Sequence, residues 1–317
     1  MTNDVNALNS PQPTVLEGGR LEIDKLLAGI AKRSAPPLRD LSVALARQTY
    51  RRAMQTLDIA PVPGIQTVAE CIEAAGHSVD VRISSPLQAD TKRHLLWVHG
   101  GGFCLGDAAS TDAVCTWLAL HTHAHVVSVD YRLAPEHPLP AALDDVIAAT
   151  RWAAKRTAGA ALALGGESAG ATLALAAAAE LIEQGHVGIS RLVLNYPMAG
   201  LDVSTPWRTR CAEGHFLSVK DLNWMLELAH AGQQACDRLN LLQRTHWPAL
   251  PETLIVLPER DPMFDEGVEL AERLRRSDTE VLEVRCPDLI HGALHMGGAI
   301  PAISQLHQFI ATWLTRS

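Results

Sequence analysis

The sequence predicts an α/β protein with a central, mostly parallel sheet, helices on both faces and a helical cap. Three observations carry this. Short runs rich in Val, Ile and Leu recur at 94–99, 125–131, 160–164, 191–196, 252–257 and 281–286; apolar on both faces, they have the pattern of strands buried in a parallel sheet. Helical patterns fall between them at 110–122, 139–157, 169–184, 267–277 and 302–315, and strand–helix alternation builds a doubly wound sheet. Two stretches, 1–55 and 201–247, stand outside the alternation.

Taken in order, residues 1–55 begin polar and turn helical from 20 to 55, with Leu26, Leu27 and Ile30 on one face. They are the expected N-terminal part of the cap. Residues 56–200 form the first part of the core, opening with two edge strands, 66–72 and 77–83, expected to be antiparallel. Residues 201–247 are too long for an ordinary connection and are read as a cap insertion. They hold a helix at 218–232 and the aromatic residues Trp207, Phe216, Trp224 and Trp247. Residues 248–317 complete the core.

Composition narrows the function. A chain of 317 residues buries enough surface to need no disulfide staples. Its 27 basic and 35 acidic residues give a net charge of −8, which disfavours nucleic acid as a partner. The N-terminus, MTNDVNALNSPQPTVLEGG, has neither the charged nor the apolar region of a signal peptide. The longest apolar run, Ala169 to Ala179, is too short to span a bilayer. A cytoplasmic protein with no membrane partner is therefore expected, and homodimerisation is left open.

Six cysteines, at 71, 104, 115, 211, 236 and 286, form no CxxC pair and no metal spacing. They read as small buried hydrophobes, although Cys104 lies close enough to the expected site for a reactive thiol to be the second reading. His121, His123 and His125 straddle a helix-to-strand junction without a nearby carboxylate cluster. They read as structural, so no metal is expected.

The chemistry begins at Gly166-Glu167-Ser168-Ala169-Gly170. This G-x-S-x-G lies between a strand and an Ala-rich helix, where a nucleophilic serine sits on a strained turn. The helix N-terminus directs free N–H groups toward developing negative charge. His99-Gly100-Gly101-Gly102-Phe103 directly follows the strand at 94–99. Its unobstructed backbone N–H groups suit an oxyanion, and Gly101, Gly102 and Ala169 are the candidate donors. A nucleophilic serine needs a base, and the base needs an orienting acid. Asp261 and His291 follow the last two strands, at the sheet edge where open α/β folds carry their sites. Glu259 and Asp265 are rival carboxylates. His295 is a rival base, expected to face packing or solvent. Asp265 lies near the start of a helix, where an acid favours the dipole.

The motifs HGGGF, DYRLAPEHPLPAALDD, GESAG, DPMFDEG and IHG, in this order, resemble the bacterial hormone-sensitive-lipase family of esterases (family IV). The resemblance runs from about residue 60 to the C-terminus. It implies the α/β-hydrolase fold, a cap built from the N-terminus and an insertion, no cofactor, and carboxylesterase activity on short acyl chains. It also implies a triad of Ser168, Asp261 and His291 and an oxyanion hole of Gly101, Gly102 and Ala169. Three positions depart from the family pattern: Glu167 stands where Asp or Thr is common, Ala293 where Phe is usual, and Arg260 beside the acid. These departures bear on pocket shape and pH optimum, not on the reaction. The stretch from Asp130 to Pro138 is read as an ion-paired loop supporting the glycine loop.

Three functions compete. The first is a serine carboxylesterase acting on a small-molecule ester. The second is an amidase or deacetylase with the same triad. The third is a non-catalytic binding protein, as in plant gibberellin receptors, which lack the histidine supplied here by His291.

Overall fold

The apolar runs assemble, in a computed structural model, into a sheet. Its strands are β1 (Thr14–Val15), β2 (Ile65–Ala74), β3 (His77–Pro86), β4 (His94–Val98), β5 (His125–Asp130), β6 (Leu162–Glu167), β7 (Ile189–Asn195), β8 (Glu252–Arg260) and β9 (Val281–Ile290). The helices are α1 (Arg20–Lys32), α2 (Val43–Leu57), α3 (Asp112–Thr122), α4 (Ala141–Arg156), α5 (Ala169–Glu183), α6 (Pro206–Arg210), α7 (Val219–Ala229), α8 (Phe264–Arg276) and α9 (Ile303–Thr315). The structure describes residues 12–316 apart from 34, 75, 91, 158–161, 186–187, 202–205, 214–215 and 230–236. The first eleven residues, Cys236, the start of the run expected at 160–164 and the end of the helix expected at 218–232 therefore lie outside the described residues.

Among the described residues the sheet has nine strands, in the order β1-β9-β8-β7-β6-β4-β5-β3-β2. β3 runs antiparallel to both β2 and β5, and the remaining pairs are parallel. Strand periodicity divides the core. On β4, Leu96 and Val98 join one apolar cluster and Leu95 and Trp97 join the other, because alternate side chains leave opposite faces. α4, α5 and α8 pack in the first cluster through residues such as Leu143, Leu173 and Leu270. α3 and α9 pack in the second through Leu118, Ile303 and Ile310. No helix among the described residues is long and apolar enough to cross a membrane.

Several boundaries differ from the sequence reading, among them the helical stretch expected from 20 to 55, which is two helices, α1 and α2. β8 and β9 run past their apolar stretches because their ladder continues, through a register shift, to Arg260 and Ile290. α8 begins at Phe264, not 267, after a turn in which Met263 N donates to Asp261 Oδ1 at 2.9 Å. β1 was not expected, since two residues carry no periodicity. It pairs in parallel with β9, and Gly18 N donates to Asp288 Oδ2 at 2.9 Å.

The helices outside the alternation are attached through arginines. Arg47 of α2 donates to Cys104 O (2.9 Å) and Ala134 O (2.8 Å) and pairs with Glu136. Arg260, at the end of β8, donates to Asp24 of α1 at 2.8 Å. Arg208 of α6 donates from Nε to Glu266 Oε1 (2.5 Å) and from Nη2 to Gly200 O (3.1 Å), while Gly200 N donates to Glu266 Oε2 (3.1 Å). Glu266 and Arg208 are both buried. Burial pushes the Glu266 carboxyl upward against the pull of Arg208. Arg208→Met strands Glu266 without its cation, which is expected to cost about 3–5 kcal/mol. Adding Glu266→Leu is expected to restore part of that loss, and urea unfolding of both variants measures it.

Candidate active site

The G-x-S-x-G spacing is dictated by contact between β4 and β6. A Cβ on Gly166 would lie 2.6 Å from Val98 O, and one on Gly170 would lie 2.2 Å from Val98 O and 2.3 Å from His99 O. Only glycine lets the turn pass this close to its neighbouring strand. Between the two, Ser168 has φ 52° and ψ −127°, a conformation that costs a non-glycine residue about 1–3 kcal/mol. Its N–H donates to Asn195 O at 2.9 Å, which ties the turn to β7. α5 starts immediately afterwards, so Ala169 N points from the first turn of a helix.

The glycine loop after β4 is shaped by positive φ at Gly101 (114°) and Gly102 (59°). Gly101 O accepts from Leu105 N at 2.8 Å and from Cys104 N at 3.1 Å, which curls the loop tightly. Among the described residues, no protein acceptor takes the N–H of Gly101, Gly102 or Ala169. Tyr131 supports the loop from behind. Its hydroxyl donates to His99 O at 3.0 Å, and its ring stacks on His99 with centroids 4.1 Å apart. The rest of the Asp130–Pro138 segment is ion-paired as expected. Arg132 donates from Nε to Asp145 Oδ2 at 2.9 Å, and Glu136 holds Arg47.

The structure brings Ser168, His291 and Asp261 together from the ends of β6, β9 and β8. Ser168 Oγ lies 3.0 Å from His291 Nε2, and His291 Nδ1 lies 2.7 Å from Asp261 Oδ2. Asp261 is 1% exposed and His291 8%. The Tyr196 ring meets the imidazole edge-on at 4.9 Å. Such a series can draw a proton from the hydroxyl while the carboxylate fixes the imidazole tautomer. Asp265 takes the first turn of α8, the dipole position anticipated for it.

Cys104 packs as a small buried hydrophobe, as expected: it is fully buried, and burial pushes its pKa up to about 12. Two expectations are corrected. Cys71 is exposed rather than buried, on the edge strand β2. His295 faces neither solvent nor plain apolar packing, because its two ring nitrogens meet Asp58 and Glu167. Sequence spacing missed this link, since Asp58 lies 237 positions away. The one signal that could have found it was Glu167, where the family pattern commonly has Asp or Thr, but the sequence reading assigns that departure to pocket shape and pH optimum. The other histidines have separate partners. His121 stacks on Trp117, and His125 Nδ1 lies 2.7 Å from Ser85 Oγ. Among the described residues no group of three or more His, Cys, Asp or Glu converges as metal ligands do.

A family model for the alpha/beta hydrolase fold matches residues 95–295, so the chain is an α/β hydrolase. Esterase LipI of Mycobacterium tuberculosis is 33% identical over 306 residues, covering 89% of this chain and 91% of the relative. Ethyl acetate hydrolase of Pseudomonas putida is 31% identical, covering 71% and 74% respectively. An α/β-hydrolase enzyme from the metagenome of Lake Arreo superposes with a TM-score of 0.87 at 28% identity, covering 93% of this chain and 96% of the other. The chain belongs to the hormone-sensitive-lipase-like family of α/β hydrolases and is a carboxylic ester hydrolase.

The contact between β4 and the serine turn has a direct test. Gly170→Ala places a Cβ inside Val98 O and is expected to abolish the ordered turn. Loss of fluorophosphonate labelling, with a melting temperature well below that of the parent, is the expected result. Gly185→Ala, where nothing lies within 4 Å of the added carbon, is the control; its positive φ costs only local strain.

Proposed function

We propose that the protein hydrolyses short-chain carboxylic esters through an acyl-enzyme on Ser168. The observation that carries this is the hydroxyl–imidazole–carboxylate series beside N–H groups that have no protein acceptor among the described residues. Ser168 Oγ attacks the ester carbonyl as its proton passes to His291 Nε2. The oxyanion is held by the N–H groups of Gly101, Gly102 and Ala169. The intermediate collapses, and the leaving alkoxide takes the proton from His291. Water then gives a proton to His291 and attacks the acyl-Ser168. The second tetrahedral intermediate releases the carboxylic acid and returns the proton to Ser168. Asp261 keeps His291 in the donating tautomer on Nδ1 and stabilises the imidazolium.

The preference for short acyl chains rests on α7 and the segment before it, read as a cap together with α1 and α2. Met225 of α7 packs against Gly102, with its Sδ 2.3 Å from where a Cβ would stand. Phe216 lies beside Gly292, next to His291, with Cε1 3.6 Å from the equivalent position there. Apolar side chains therefore border both the glycine loop and the histidine loop. Each acyl CH₂ buried among them gains about 0.8 kcal/mol, or roughly fourfold in kcat/KM, until the space is full. Ethyl acetate hydrolase, among the relatives, is named for a small ester.

Ser168→Ala is expected to lower kcat by about 10⁴-fold or more in a folded protein. Asp261→Asn is expected to cost on the order of 10³–10⁴-fold. Steady-state rates on a nitrophenyl ester check both, and full activity in folded Ser168→Ala rules the reading out. A nitrophenyl series from acetate to palmitate is expected to peak at roughly two to eight carbons, with Met225→Ala moving the peak to longer chains. A maximum at palmitate, or a jump in rate at a lipid interface, contradicts the short-chain reading. Faster turnover of the matching anilides would instead identify an amidase.

A further inference from the structure

Four residues beyond His291, a second histidine is buried in the same loop. His295 is 4% exposed, and each ring nitrogen faces a carboxylate. Nδ1 lies 2.8 Å from Asp58 Oδ2, and Nε2 lies 2.7 Å from Glu167 Oε1. An ionised carboxylate only accepts hydrogen bonds, so the ring that satisfies both carries both protons. Burial is the largest single influence on this imidazole and lowers its pKa. Glu167 and Asp58 together outweigh it and hold the value at about 10.

Each member stands at a junction. Asp58 ends α2, whose Leu57 O accepts from Gly298 N at 3.0 Å, so the helix is docked on the histidine loop. Glu167 is the last residue of β6, directly before Ser168. Its Oε1 also accepts from Gly100 N at 3.3 Å, at the root of the glycine loop. One line of hydrogen bonds thus joins the N-terminal segment, the histidine loop, the serine turn and the glycine loop.

We propose that Asp58, His295 and Glu167 are positioning residues for hydrolysis. They fix the Gly100–Gly102 loop against the serine turn, so that its N–H groups and Ser168 Oγ address the same carbonyl carbon and oxygen. They also couple the N-terminal segment to turnover. This inference rests on the reading of Ser168 as nucleophile given above.

The cluster is poorly suited to serve only as an adhesive. It places two carboxylates and one imidazolium in the interior, a net negative charge. Replacing buried ion clusters by apolar groups is often neutral or stabilising. Glu167 Oε2 is buried and has no hydrogen-bond partner among the described residues. Positioning is different, because a displacement of about 1 Å in a reacting group can cost about 100-fold in rate. A fixed charge-assisted chain suits that task.

Beyond the carboxylates Asp107, Asp130 and Asp261, burial favours the neutral form of the titratable groups around the chain. His307 of α9 faces His295, and burial is the main cause lowering its pKa. Around Glu167, burial lowers His99 and raises Tyr50, Tyr131, Tyr196 and Cys115. His295 is thus the group expected to change charge in alkali. Its folded value of about 10 exceeds its ordinary 6.5. Its contribution to stability is therefore complete below the ordinary value and is lost as pH rises through about 10.

The test uses His295→Gln, Glu167→Gln and Asp58→Asn in the full chain, with rates on nitrophenyl butyrate counted per site titrated by a fluorophosphonate. Titration of the parent protein comes first, and its failure would overturn the Ser168 reading rather than this inference. The expected result is a kcat reduced by about 10- to 100-fold with KM within about threefold. Glu167→Gln with His295→Gln is expected to lose little more than the worse single variant, as residues of one network do. The fall in melting temperature between pH 6.5 and 10 is expected to be shallower in His295→Gln than in the parent. If His295→Gln does not fold, Asp58→Asn at the outer end of the chain decides. Parent-like kcat per titrated site in every folded variant, whatever happens to melting temperature, overturns the proposal.

Discussion

The strained turn at Ser168 is the constraint on which the other parts depend. A serine at φ 52° is held there only because several contacts over-determine it. β4 and β6 must be neighbours, so that Val98 O and His99 O occupy the space a side chain at Gly170 would need. β7 must present Asn195 O to the serine N–H. α5 must sit close to the sheet, which its alanines permit, since they are fully buried yet small. The order of strands at the centre of the sheet and the composition of α5 both serve this one turn.

The attachment of the outer helices follows a different logic. Arg47, Arg208 and Arg260 each reach from one segment to carbonyls or carboxylates of another. Exposed ion pairs contribute little stability. A guanidinium fork, however, fixes direction as well as distance, so these contacts set the register of the helices above the sheet. Apolar packing fixes separation, while the arginines limit sliding.

Much of this was legible in the sequence because it depends on local pattern. The strands at 94–99 and 125–131 appear within one residue of their expected ends, since a strand buried on both faces has a continuous apolar run. Ser168, Asp261 and His291 were legible because each follows such a run. What could not be read was long-range. β1 is too short for a period, and β9 passes through Arg285 and Asp288 because its partner strand, not its composition, extends it. The partners of His295 were hidden for the same reason. A buried histidine and a solvent-facing one look alike in sequence until the carboxylates that meet it are known.

The pairing of β1 with β9 has a consequence for biosynthesis. Gly18 and Asp288 are 270 positions apart, so the earlier segment must wait for almost the whole described chain before it finds its place. The loop-closure cost grows only slowly with such a span, but contacts of this kind are slow to find. Until they form, the outer edge of β9 is an open ladder of unpaired backbone groups. A nascent chain paused before residue 281 already holds the glycine loop and the serine turn, yet it has neither His291 nor a partner for its own beginning. Under the proposed mechanism, the capacity to hydrolyse esters therefore arises late and all at once. A chain that ends before His291 lacks the base that this mechanism needs.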